Sequence, residues 1–220
     1  ALAFGFRERN ARPTFAVTLQ GGAIGILVLT IFAALRLYHL LPATLAFALL
    51  VAIVAASCLL AVLQDARALA VLGSLAGFLA PILVSTGSGN HVALFSWYAL
   101  LDLSIFAIAW FKAWRMLNLL GFVSTFAIAT AWGVLRYEPE QFWTTEPFLA
   151  LFFALYCTIP VLYGKGRITR GQAIVDGALV FGAPIAALGL QALLLRGELL
   201  PLALSALAIA AVELCVAHGI

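Results

Sequence analysis

Three acids stand inside long apolar runs: Asp102 between Leu101 and Leu103, Asp176 between Val175 and Gly177, and Glu213 between Val212 and Leu214. An ionisable side chain in hydrocarbon costs about 2.5–3.5 kcal/mol on insertion scales, so it normally faces protein or a water-filled path. Carboxyls so placed suit the handling of a proton or a small solute. The amides Gln20, Asn118 and Gln191 share these surroundings and suit either lining such a cavity or bonding between helices. Pro81 and Pro184 each lack an N–H and clash with the carbonyl four residues back, so each should kink its helix. Paired breaks in corresponding halves of a membrane chain are a pointer to a binding site. The candidate binding residues are therefore Asp102, Asp176, Glu213, Gln20, Gln191, Pro81 and Pro184. A packing role stands beside each functional one: a hydrogen-bonded acid at Asp102, an interfacial or capping acid at Asp176 and Glu213, a static kink at the prolines.

The constellations of soluble enzymes are missing. No His/Glu metal spacing, nucleophile elbow, CxxC or glycine-rich nucleotide loop occurs, so no catalytic residue, metal site or cofactor is assigned. His39, His91 and His218 fall near the ends of apolar runs and read as interfacial. Cys58, Cys157 and Cys215 are odd in number and isolated, which argues against disulfides and a metal cluster.

The elements that must position these groups are membrane helices. The chain is 65% apolar and 10% charged, with a mean hydropathy of +1.14; a soluble domain carries about 25% charged residues. Apolar segments run its whole length, which excludes a secreted protein with a cleaved leader. The net charge of +3 is small and its cations sit in short joints, which points to membrane orientation and away from nucleic acid. A span needs about 20 apolar residues, and eight candidates appear, at 14–35, 43–63, 68–86, 91–111, 116–135, 147–163, 173–195 and 199–218. They do not alternate apolar with polar, as barrel strands would. Sorted by alternate joints, Arg7, Arg9, Arg12, Arg67, Lys112, Arg115, Lys165, Arg167 and Arg170 share one side, and Arg36, Arg136 and Arg196 the other. Nine cations against three predict an all-α integral membrane protein with eight transmembrane helices and both termini in the cytoplasm. Gly21, Gly22 and Gly25, like Gly73 and Gly77, are placed for close helix approach. Ser85 to Asn90 reads as an outer turn, and the stretch from Arg136 to Glu146, with Trp143, as an outer connection on the membrane surface.

The third and seventh spans resemble one another. Arg67–Ile82 and Arg170–Ile185 match without a gap at six of sixteen positions, including Arg67/Arg170, Phe78/Phe181 and Pro81/Pro184. Residues 1–220 are thus one transmembrane domain, built either as parallel four-helix repeats, 1–115 and 116–220, or from unrelated helices whose Leu- and Ala-rich sequences match easily. An even number of spans per repeat keeps their orientation.

Several stretches resemble a bacterial family of predicted multi-pass membrane proteins known as domain of unknown function 2339. They are Leu19-Gln20-Gly21-Gly22, Gly77 to Pro81 with Ser85 to His91, Leu117 to Phe122, Thr145 to Phe148, Val175-Asp176-Gly177 with Phe181-Gly182, and Gly189-Leu190-Gln191. The resemblance implies a bacterial inner-membrane location and no established activity. Its members are usually much longer, and this chain starts at Ala1 without an initiator Met, so a section of such a protein is expected. The resemblance implies Asn where this chain has Asp102 and places Glu213 outside the pattern, which leaves Asp176 the better family-level candidate. The first functional expectation is a transporter-like or channel-like protein with a midplane site between the third and seventh helices. The second is a non-catalytic scaffold or assembly subunit for envelope components, and the third an intramembrane enzyme acting on lipid-linked substrates. The expected partners are the lipid bilayer and other membrane helices or a second copy of the chain.

Overall fold

The computed structural model describes residues 2–8, 11–84, 90–163 and 170–219. Eight long helices follow a short one, α1 (Leu2–Glu8): α2 (Pro13–Arg36), α3 (Ala43–Gln64), α4 (Arg67–Val84), α5 (His91–Phe111), α6 (Arg115–Arg136), α7 (Phe142–Tyr163), α8 (Arg170–Leu194) and α9 (Leu199–Gly219). No strand occurs among the described residues. Among the described residues, six helices, α2, α3, α5, α6, α7 and α8, are long and apolar enough to cross a membrane. The described apolar stretches of α4 and α9, Arg67–Ile82 and Leu199–Cys215, are shorter. Lipid as solvent explains the many large apolar side chains left outside, such as Phe181 and Leu207.

Local chemistry sets several ends. Asn90 caps α5 by accepting from the Ala93 N–H at 3.0 Å; the rest of the expected outer turn, 85–89, lies outside the described residues. Asp65 closes α3 in the left-handed conformation, with φ 52°. The expected surface connection before the sixth span is shorter than the sequence reading had it. A 3-10 turn over Pro139–Gln141 carries a reciprocal cap between Glu138 and Gln141, and α7 starts at Phe142. Trp143 is therefore helical and points outward, 82% exposed. α7 runs through both Pro147 and Pro160. Likewise α4 and α8 continue past Pro81 and Pro184.

The chain packs as two compact units, Ala1–Ser88 and Gly89–Ile220. In the first, α2, α3 and α4 pack pairwise and α1 lies on α2. A Cβ on Gly73 would stand 2.8 Å from the Ser57 Cβ, so α3 and α4 approach closely there. Gly21 meets Leu72 in the same way, whereas Gly22 and Gly25 face open space. In the second unit α7 packs against α5, α6, α8 and α9, and α8 also against α6 and α9. Joints as short as Lys112–Trp114 turn α6 back antiparallel to α5. No described residue of α9 is fully buried. Its half-buried positions, Pro201, Leu202, Ser205, Ala206, Ile209 and Glu213, recur at three- and four-residue spacing as one stripe.

Candidate functional site

The second unit gathers its polar side chains at three depths, and α6 runs past all of them. Positions 115, 118, 121 and 125 share one face of that helix, because residues three and four apart stack in register. Arg115 opens the face at one helix end. Asn118 follows, 1% exposed, then Gly121, then Thr125, 2% exposed.

At the Arg115 end, its Nε donates to both carboxylate oxygens of Asp176 on α8, at 2.8 and 2.9 Å. Both side chains are nearly covered. A cation at the start of α6 thus meets an acid in the second turn of α8, at matching depth. Asp176 is therefore an ion-pair partner of Arg115.

Near half-depth lies Asp102, 2% exposed and twelfth of the 21 residues of α5. The Tyr156 hydroxyl of α7 donates to Oδ1 at 2.6 Å. The Thr125 hydroxyl of α6 lies 3.0 and 2.9 Å from Oδ1 and Oδ2. Among the described residues, the partners of this carboxyl are hydroxyls and not a cation. Tyr98, one turn earlier on α5, is fully buried as well. The approach of α6 depends on Gly121: a Cβ there would stand 2.5 Å from the Tyr156 hydroxyl oxygen and 3.6 Å from Asp102 Oδ1. Phe122 and Phe126 pack against the Tyr156 ring and hold it in place. Pro160 cannot donate to the Tyr156 carbonyl, which loosens the backbone in that same turn.

At the other end, Gln191 of α8 donates to Glu146 Oε1 of α7 at 3.0 Å and lies 3.1 Å from the Ser205 hydroxyl of α9. Glu146 Oε2 and the Thr145 hydroxyl are buried with no hydrogen-bond partner in the protein. The Tyr137 hydroxyl, outside the spans, donates to the Leu194 carbonyl at 2.8 Å. Its titration is pushed above the usual phenol range, chiefly by burial, with Arg196 opposing and Glu146 and Glu140 adding. A cavity lies between α5, α6, α7 and α8 at this end, walled by Phe95, Trp132, Phe148 and Phe152. On α7, Phe152 is one turn from Tyr156, so the cavity ends one helical turn from the Asp102 cluster.

Glu213 accepts from the Cys157 thiol at 3.1 Å, tying α9 to α7. Gln20 lies in the first unit, fully buried, and its Oε1 accepts from Gln64 Nε2 at 3.0 Å. Gln20 Nε2 and Gln64 Oε1 are buried there without partners. Gly5 of α1 covers this pair, since a Cβ on it would stand 3.2 Å from Gln20 Nε2. Pro81 falls in the first unit and Pro184 in the second.

Of the residues singled out by sequence, the second unit gives Asp102, Asp176, Gln191 and Glu213 partners from other helices, at three depths and not at one site. Sequence reasoning missed Thr125, Tyr156, Arg115 and Glu146 as those partners. The missed signal was depth: counting each residue from its helix end, at about 1.5 Å per residue, puts Thr125 and Tyr156 near the level of Asp102. Among the described residues no group of three or more His, Cys, Asp or Glu is placed to hold a metal.

No curated protein and no solved structure matches the chain. A family model described as "Predicted membrane protein (DUF2339)" matches residues 1–220. With its several apolar helices, the chain is a multi-pass membrane protein and belongs to that family.

Proposed function

We propose that this is a transporter-like or channel-like protein of the bacterial inner membrane, and that the Asp102–Thr125–Tyr156 cluster is its midplane site. One observation carries the reading: a carboxyl buried near half-depth is held by two hydroxyls from two other helices and not by a cation. A structural ion pair neutralises itself, as Arg115 and Asp176 do. Neutral donors leave the carboxylate its charge, and in hydrocarbon that charge needs a proton or a small cation. Both hydroxyls can rotate and turn a lone pair toward an arriving cation. The polar face of α6, from Arg115 through Asn118 and Gly121 to Thr125, supports a path to one side. Eight spans with both termini in the cytoplasm, set by the nine-to-three sorting of cations, put the Arg115–Asp176 pair on the cytoplasmic side and the cavity on the outer side. The two similar proline helices, α4 and α8, are read as products of a duplication into 1–115 and 116–220.

The test is ion flux in sealed vesicles. Purified protein is reconstituted into liposomes holding a pH-sensitive dye, and a proton gradient is imposed with the membrane potential clamped. The native chain should collapse the gradient faster than Asp102→Asn, with both proteins equally folded. Equal rates for the two proteins, or a native rate no greater than that of empty vesicles, would sink the proposal.

A second reading, the membrane scaffold, is favoured by a different observation. Each acid within the spans of the second unit ties two helices, and α9 leaves most of its surface uncovered. On that reading Asp102→Asn leaves flux unchanged, and other membrane helices or a second copy cover α9.

A further inference from the structure

The Asp102 cluster holds four side-chain oxygens from three helices: Asp102 Oδ1 and Oδ2, the Thr125 hydroxyl and the Tyr156 hydroxyl. Their spacing decides what the carboxylate can take up. The contacts measure 2.6–3.0 Å, ordinary lengths for one proton shared between two oxygens. A metal ion would have to enter among the same oxygens and splay them. On the α6 side there is no slack, because even a methyl at Gly121 would stand 2.5 Å from the Tyr156 oxygen. Phe122 and Phe126 pack against the Tyr156 ring and oppose its retreat. Hard divalent cations take six or more oxygen ligands, and potassium filters replace a hydration shell with rings of carbonyls. Four oxygens, two of them hydroxyls already donating, supply neither. Thr125 stands out among the helical threonines. Thr18, Thr30, Thr130 and Thr158 return their proton to the carbonyl four residues back, at 2.6–2.9 Å. Thr125 gives its hydroxyl to Asp102, and it also lies within hydrogen-bond reach of the Tyr156 hydroxyl.

We propose that the Asp102 cluster takes up a proton and excludes metal cations, and that Asp102, Tyr156 and Thr125 close into a ring of three hydrogen bonds when the carboxyl is neutral. In the charged state both hydroxyls donate to the carboxylate. The step is one proton transfer: a proton from water on the polar face of α6 adds to Oδ1, an O–H bond forms, and the negative charge is lost. The new O–H donates to the Tyr156 oxygen. The Tyr156 proton turns to the Thr125 oxygen, and Thr125 continues to donate to Oδ2. Every donor then has an acceptor, and only hydroxyl protons have turned. The same three side chains therefore satisfy both protonation states, which a buried polar network must do if it is to exchange a proton without opening. Among the described residues, the titratable groups that face Asp102 are Tyr156 on α7 and Tyr98 on α5, with Thr125 facing it from α6 and no cation beside it. The assignment rests on the transport reading for the purpose of the site, but the binding step can be read without flux.

The test is an infrared pH titration of the full chain in detergent micelles, in choline chloride and then in sodium or potassium chloride at equal ionic strength. The native protein should show a protonated-carboxyl band that grows as pH falls and is lost in Asp102→Asn. Thr125→Val keeps the shape but removes the donor to Oδ2, so the band should move to higher frequency; Thr125→Ser should restore its position. The titration midpoint should be the same in all three salts. Should Asp102→Asn fail to fold, isotope-labelled aspartate in the native chain and in Thr125→Val assigns the band instead. A midpoint that falls as sodium or potassium replaces choline would show a metal ion competing for the carboxylate and overturn the proposal, with the transport reading left standing. The absence of a titrating band that depends on Asp102, or a band unmoved in Thr125→Val, would overturn it too. A titrating Asp102 band in a protein whose proton flux equals that of Asp102→Asn supports the proton site and removes the transport reading alone.

Discussion

Gly121→Ala is the sharpest perturbation of the Asp102 cluster. The new methyl would stand 2.5 Å from the Tyr156 hydroxyl oxygen and 2.8 Å from Ile105 Cδ1, both too close, while Asp102 Oδ1 at 3.6 Å is at an ordinary distance. The isoleucine methyl can swing away. The Tyr156 ring is packed against Phe122 and Phe126, so its hydroxyl can retreat only by leaving Asp102. The lost interhelical hydrogen bond is worth about 0.6–1.7 kcal/mol in a membrane protein, and overpacking adds about 1–3 kcal/mol. Alanine returns up to about 1 kcal/mol of helix propensity. The net expectation is a loss of about 1–3 kcal/mol, which reversible unfolding in mixed micelles resolves. Tyr156→Phe supplies the decisive comparison. It costs the hydrogen bond alone, and it removes the atom that the alanine methyl strikes. The double variant should therefore be more stable than the two single losses added together predict, by at least about 1 kcal/mol. Losses that add to within about 0.5 kcal/mol, as independent sites do, would refute the claim that Gly121 exists to admit the Tyr156–Asp102 bond.

Asp176→Asn should cost about 2–4 kcal/mol, because removing one member of a nearly covered pair leaves the other charge poorly matched; the exchange Arg115→Asp with Asp176→Arg should recover part of it in the same unfolding assay. Gly73→Ala should destabilise by about 1–3 kcal/mol, since its methyl meets the rigid Ser57 Cβ, whereas Gly22→Ala, facing open space, should be neutral or gain up to about 1 kcal/mol; equal effects would mean that α3 and α4 do not touch at Gly73. Tyr137 is protonated to higher pH when folded than when unfolded, so the unfolded chain binds fewer protons once pH passes the ordinary phenol range. Stability should then fall as pH rises above about 10, and heat-denaturation curves of Tyr137→Phe should lack that part of the fall.

The helices were readable from sequence because lipid imposes a long apolar run on each, whatever it packs against. Their partners were not. Asp102 is conspicuous because a charge in such a run is rare, but Thr125 and Tyr156 are ordinary residues of membrane helices, and nothing local marks them as its donors. Arg115 read as one of nine cations in the joints on one side, which its position at a helix start allows; its pairing with Asp176 depends on α6 lying beside α8, and periodicity does not encode neighbours. Glycine spacing misled in part. Gly21, Gly22 and Gly25 form one small-residue segment in sequence, yet only a Cβ on Gly21 meets a neighbour. The α7 start was missed because Pro147 reads as a helix boundary, while the helix begins at Phe142, ahead of it.

The transport and scaffold readings separate at Asp102 for a physical reason. As a tie between helices, a carboxyl offers Thr125 and Tyr156 nothing that an amide oxygen would not also accept. Asparagine would bind both hydroxyls and avoid placing a charge in hydrocarbon. Near the helix ends the charge is tolerable: Asp176 has Arg115, and Glu146 meets the Gln191 amide within two turns of the start of α7. Asp102 has neither a cation nor a helix end. What aspartate adds over asparagine at that depth is the ability to exchange a proton or hold a cation. Stability therefore discriminates poorly between the readings, because Asp102→Asn preserves the acceptor. Flux discriminates well, because the substitution removes the charge and leaves the packing in place.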